Sequence, residues 1–141
     1  MKLFRILVFL SFTMAFQPQT KEELQIAVDL WVSDEAEALE TYGEINEWDT
    51  SLITDMSGLF YDETWNNFYS DFNSDISSWD VSNVTNMSYM FRDADIFNQD
   101  LSSWNVSSVI EMSYMFRDAA SFNGNISSWN VSNVTDMIYM F

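Results

Sequence analysis

The oxygen-bearing side chains of this chain recur at fixed intervals, and the intervals decide what chemistry they could do. Asp75 and Asp100 occupy equivalent places 25 residues apart, with Asn125 at the third such place. Stacked units would bring the two carboxylates to roughly 5 Å, where paired carboxyls titrate together and could serve glycosidase-like chemistry. Asn125 breaks that row, and nothing in the sequence supplies a pocket. Asp71, Asp75, Asp80, Asp93, Asp95, Asp100 and Asp118 are hard donors of the kind calcium takes. No D-x-[DN]-x-[DN]-G loop or G-G-x-G-x-D nonapeptide organises them, so the simpler reading is that Asp and Asn close turns and cap helices. With no His and no Cys, Ser-His-Asp triads, cysteine nucleophiles and ordinary zinc sites are excluded. The expectation is a protein that is not an enzyme and needs no cofactor.

Binding is the other chemistry available. Ser78, Asp80 and Ser82, then Ser103, Asn105 and Ser107, then Ser128, Asn130 and Ser132 form a repeated row of small polar groups, suited to hydrogen-bonding an extended partner or a carbohydrate. Tyr89, Tyr114 and Tyr139 form a second row, which either contacts a partner or covers the seam between units. The Met87, Met112, Met137 and Met90, Met115, Met140 rows sit among Phe and Val at helical spacing and read as core rather than copper ligands. Sequons at Asn83, Asn86, Asn105, Asn125, Asn130 and Asn133 could carry glycan in a host that glycosylates exported proteins. Each falls within the repeated phrase, where Asn also serves as a cap or turn residue, and Asn130 and Asn133 are close for double occupancy.

The elements that must position these rows follow from the period. Trp79, Trp104 and Trp129 recur every 25 residues, and a degenerate copy with Ile45, Trp48, Ile53, Met56 and Phe60 lies 31 residues upstream of Trp79. An insertion near Tyr61 to Tyr69 accounts for the offset. Within a unit, Leu101, Trp104 and Val106 put two apolar side chains at i and i+2, which predicts a short strand offered to a parallel sheet. Val109, Met112, Met115, Phe116 and Ala119 then have the spacing of an amphipathic helix of about three turns. Ser108 with Glu111, and Asn133 with Asp136, resemble its start signals. The expected fold is an α/β repeat: a leucine-rich-repeat-like solenoid of about 25-residue coils, one short parallel strand and one short helix per coil, with an N-terminal helical cap.

The domain reading follows from the start of the chain. Residues 1–20 read as a signal peptide: Lys2 and Arg5 precede a mostly apolar run from Ile6 to Phe16, and Thr13-Met14-Ala15 is an acceptable cleavage site. The run is too short to span a bilayer, so no membrane insertion is expected after cleavage. Residues 21–44 read as a helical cap: Thr20 and Glu23 fit a capping box, Leu24, Ala27, Val28 and Trp31 share a face, and a second helix runs from Asp34 to about Thr41 with Gly43 as its stop. Residues 45–141 read as the repeat array, its last copy truncated, with further C-terminal repeats missing. Removing Lys2 and Arg5 leaves 3 basic against 22 acidic side chains, a net of −19. Such a chain cannot neutralise a phosphate backbone, so nucleic acid and anionic lipid are excluded as partners.

The phrases LQIAVDLW, YGEINEWDTSLITDMSGLF and DISSWDVSNVTNMSYMFRDADIFNQDLSSWNVSSV, with their W-[DN]-[VT]-S…M-x-x-[ML]-F core, resemble the BspA-like leucine-rich-repeat surface proteins, long catalogued as a domain of unknown function in mycoplasma lipoproteins. The resemblance covers about residues 21 to 141. It implies an exported or surface-displayed solenoid with a role in adhesion or protein interaction, and it carries no catalytic residues. The expected function is extracellular protein or glycan binding, secreted or at the cell surface. The rival readings are a structural spacer within a longer surface protein and a calcium-dependent binding module.

Overall fold

The computed structural model describes residues 14–64 and 68–141. Most of the segment read as a signal, residues 1–13, and residues 65–67 of the insertion lie outside the described residues. The packed body begins within the stretch read as the signal. Phe16 lies against Tyr42 and Trp48, with ring centroids 4.5 and 5.4 Å apart, and its carbonyl accepts the Asp49 N–H at 2.9 Å.

Two helices follow. α1 (Lys21–Ser33) starts where Thr20 Oγ1 accepts the Glu23 N–H, and it buries Leu24, Ala27, Val28 and Trp31, the face its spacing predicts. α2 (Glu35–Tyr42) is capped by Asp34, whose carboxylate accepts the Glu37 N–H. It ends at Gly43, whose φ of 77° is a conformation other residues reach only with strain. α1 is tied to the repeats at three heights. Lys21 Nζ donates to Ser57 Oγ at 2.6 Å, Gln25 Nε2 to the Leu59 carbonyl at 3.0 Å, and Trp31 Nε1 to Ser74 Oγ at 2.9 Å. Tyr69 closes the insertion onto the same helix by donating to Asp29. Burial, helped by that bond, pushes the Tyr69 phenol well above its ordinary value.

The repeats stack in register, but they are not α/β coils. Among the described residues there is no strand and no helix after a 3-10 turn at Ile45–Glu47. Neighbouring units meet through isolated parallel bridges, Asp55 to Asn86, Asn86 to Glu111 and Glu111 to Asp136. The expected leucine-rich-repeat-like solenoid with a strand and helix per coil is therefore incorrect. Turns replace the strand: Trp104 N–H bonds the Leu101 carbonyl and Val109 N–H the Val106 carbonyl, while Asp100 and Asn105 accept the N–H groups of Ser102 and Ser107. These bonds curl the segment that alternation would have kept extended.

The helix fails for a different reason. Tyr89, Asp93, Tyr114, Asp118 and Tyr139 have φ between 50° and 63°, where a right-handed helix needs about −63°. Their N–H groups run outward to the next unit instead of back along the chain. Met87, Tyr89, Phe91 and Asp93 donate to the carbonyls of Glu111, Ser113, Met115 and Arg117, all at 2.9 Å. Met112, Tyr114 and Phe116 repeat this to Asp136, Ile138 and Met140 at 2.7–2.9 Å. The start signals also act otherwise: Asp136 accepts the Ile138 N–H two residues on, closing a turn rather than opening a helix.

Aromatic columns fill the space between the seams. Phe60, Phe91, Phe116 and Phe141 stack at 5.2, 5.4 and 5.7 Å, and Phe72, Phe97 and Phe122 at 5.9 and 6.0 Å. The columns lock together at 4.1 Å between Phe91 and Phe97 and 3.9 Å between Phe116 and Phe122. Each indole N–H is served by the unit before it: Trp79 donates to the Ile45 carbonyl at 2.7 Å, Trp104 to Ile76 at 3.1 Å, and Trp129 to Leu101 at 2.9 Å. Burial depends on having a neighbour on both sides. Met112 is fully buried, whereas its counterpart Met137 is 40% exposed and Phe141 is 70% exposed.

This packing sets a contrast between equivalent rings. Phe91→Ala should cost about 3–5 kcal/mol, the usual range for emptying a buried aromatic site, and Phe141→Ala should cost less than about 0.5 kcal/mol. Urea unfolding of the two variants checks it, and equal losses would refute the account of the columns.

Candidate functional site

The polar row lies along the turns. Ser78, Ser103 and Ser128 each donate a hydroxyl to the preceding unit, to the carbonyls of Asn46, Ser77 and Ser102, the last two at 2.5 and 2.7 Å. Asp80, Asn105 and Asn130 each accept the N–H two residues on, from Ser82, Ser107 and Ser132 at 2.9, 3.2 and 3.2 Å. Sequence reasoning placed these nine residues on the outer face of a strand; they are instead on one turn surface, with much of their hydrogen bonding used internally. What each Asn still presents to solvent is its Nδ2 amide, in a direction fixed by its own turn.

The sequons divide on the same criterion. Asn83 and Asn133 donate Nδ2 to the Ser51 and Ser107 carbonyls at 2.8 and 2.7 Å, and Asn86 is half-buried within the bridge row. Asn105, Asn125 and Asn130 are exposed, with their Oδ1 atoms engaged in turns.

The acidic side chains serve turns and arginines. Asp75 Oδ1 accepts the Ser77 N–H at 2.9 Å and Asp100 Oδ1 the Ser102 N–H at 2.8 Å. The Ser102 hydroxyl and N–H hold the Asp100 carboxyl below its ordinary value, and Ser51 does the same for Asp49. Burial raises Asp55, but the Ser57 hydroxyl and N–H, with Lys21, more than offset it and leave that carboxyl lowered. Asp93 and Asp118 lie 3.4 and 3.2 Å from Arg92 and Arg117. Burial nevertheless pushes the Asp93 carboxyl up. Among the described residues no three acidic groups are gathered as a metal would require.

The tyrosine row covers the seam. Tyr89 and Tyr114 stack at 4.8 Å and 7°, and Tyr114 and Tyr139 at 5.4 Å. Arg92 lies 4.9 Å over Tyr61 and 5.7 Å over Tyr89, and Arg117 lies 5.5 Å over Tyr114. In the first unit the position of these tyrosines is held by Gly58, at a φ of 64° and with open space where a side chain would project. A cleft of about 610 Å³ lies there, bounded by Lys21 and Gln25 of α1, by Ser57 and by the rings of Tyr61 and Tyr89, with Arg92 at its wall. Sequence reasoning missed this cleft, because Lys21 and Arg92 are far apart in the chain. Gly58 beneath the tyrosine row was the available signal, hidden by the 31-residue offset of the first unit.

Seams, columns and turns define a repeat protein of 25-residue units stacked in register. It belongs to the family described as Mycoplasma protein of unknown function, DUF285, whose model matches residues 31–141. Searches of curated proteins and of solved structures each find no match. No helix among the described residues is long and apolar enough to cross a membrane.

The turn carboxylates predict a small acid sensitivity. Asp49, Asp55 and Asp100 are lowered, so their stabilisation is present above the ordinary Asp value of 3.8 and is lost as pH falls through their lower folded values. Asp93 is raised and has the opposite sign, its charged form costing stability as pH rises through a value above 3.8. Asn125 closes the turn equivalent to that of Asp100, so Asp100→Asn should keep the neutral-pH melting temperature and flatten its fall in acid. Asp100→Ala should lower the melting temperature at neutral pH. Melts of both variants from neutral to acid pH test this, and identical behaviour of the two would refute it.

Proposed function

We propose that this chain is an exported or surface-displayed repeat protein of the BspA-like kind that binds an extracellular protein or glycan through its polar turn row. The observation that supports the reading is the fixed direction of the exposed Asn105 and Asn130 amides. Each Oδ1 is tied to its own turn, so one donor per unit is aimed outward at the repeat spacing, and an extended partner could meet several together without ordering them first. The family's description as a mycoplasma protein of unknown function is compatible with surface display and names no ligand.

A spacer role is the second reading, and one observation favours it. The Ser78, Ser103 and Ser128 hydroxyls are turned onto the backbone of the preceding unit, which serves stacking rather than contact. The two readings separate on Asn105→Asp with Asn130→Asp. Asp80 closes the same turn in the first of these units, so this change keeps each turn and removes only the outward donor. Under the binding reading the double variant melts like the parent and loses capture on an array of glycans and purified matrix proteins. Parent-like capture by the variant, or none by the parent, would favour the spacer.

A further inference from the structure

The cleft over Gly58 concentrates what the rest of the surface lacks. The chain carries a formal charge of −17 with only five basic side chains, and Lys21, Arg92 and Arg117 are the three within the described residues. Two of those three border this one cleft. The Lys21 ammonium has three donors; Ser57 Oγ takes one at 2.6 Å and Asp55 Oδ1 another at 3.4 Å, which leaves the third for a ligand.

Backbone strain points to the same place. Tyr89, Tyr114 and Tyr139 are held at φ of 63°, 60° and 50°, which costs a residue with a side chain about 1 kcal/mol or more each. The first unit avoids this with Gly58, and the result is a missing ring at that end of the tyrosine row. The gap has an aromatic wall in Tyr61 and Tyr89, an amide in Gln25 and cations on two sides.

We propose that this cleft binds a sugar ring bearing a single carboxylate, of the uronic acid type. The apolar edge of the ring would lie against Tyr61 and Tyr89, its hydroxyls would meet Gln25 and Ser57, and its carboxylate would bind Lys21 and Arg92. Charge selects this ligand over an acidic peptide. A segment with several carboxylates is repelled by the surrounding net charge, whereas one carboxylate at short range gains from the two cations. The site is separate from the polar turn row, so failure of either reading leaves the other standing.

The test is an NMR titration of the chain with methyl glucuronide, methyl glucoside and a hexaglutamate peptide as probes. The expected result is saturable shifts of the Ser57 and Gly58 amides with the glucuronide, with the glucoside weaker by about tenfold or more. Lys21→Met should weaken the glucuronide to a similar degree, and Lys21→Arg should restore it. Gly58→Asn, which tolerates a left-handed backbone and fills the gap, should abolish binding with the melting temperature kept. Equal binding of glucoside and glucuronide, tighter binding of the peptide, parent-like binding by Gly58→Asn, or no saturation by about 20 mM would each overturn the proposal.

Discussion

The row of amide bonds from one unit to the next is the constraint on which the rest of this structure depends. Met87, Tyr89, Phe91 and Asp93 all donate in the same direction, to residues about one period later, and Met112, Tyr114 and Phe116 do so again. A backbone that must point successive donors at its neighbour cannot also bond back along its own chain, so the helix is forfeited. Left-handed residues at Tyr89 and Asp93, and at Tyr114 and Asp118, are the local consequence. Their strain is tolerated because the neighbouring unit fixes both sides of the seam.

Everything between the seams then follows from matching like with like. Once units are in register, identical side chains meet at the unit spacing, and flat rings fill that spacing well; this is why Phe91 lies between Phe60 and Phe116 with ring planes within 7°. Polar turn residues solve the remaining problem, the backbone N–H groups that no seam serves. Asp75, Asp80, Asp100, Asn105, Asn125 and Asn130 each accept one. The acidity of the chain is thus in good part a by-product of turn construction, and Asn125 in the place of Asp100 shows that the turn requires the oxygen rather than the charge.

How much of this was legible in the sequence depends on the level considered. The period and the buried rows were readable, because burial alone decides where Trp, Phe, Met and Val must recur; Trp79, Trp104, Met87 and Met112 are all buried. The two N-terminal helices were readable because Thr20, Asp34 and Gly43 carry standard boundary chemistry. The conformation inside the unit was not. Val109, Met112, Met115 and Phe116 have helical spacing, but successive turns that each return an apolar residue to the core produce the same spacing, and a tyrosine gives no warning of a positive φ. Trp104 and Val106 likewise alternate like a strand while being carried on two turns. The cleft was hidden because its cations come from α1 and from the second unit, and only the fold brings them to Gly58.

The most direct measurement of the account is native-state hydrogen exchange of the seam amides. If the seam holds the array together, the N–H groups of Met87, Tyr89 and Phe91 should exchange only with global unfolding, at the same free energy as those of Met112, Tyr114 and Phe116. Exchange of these amides as fast as that of exposed turns, or opening of one row while the other stays protected, would contradict it.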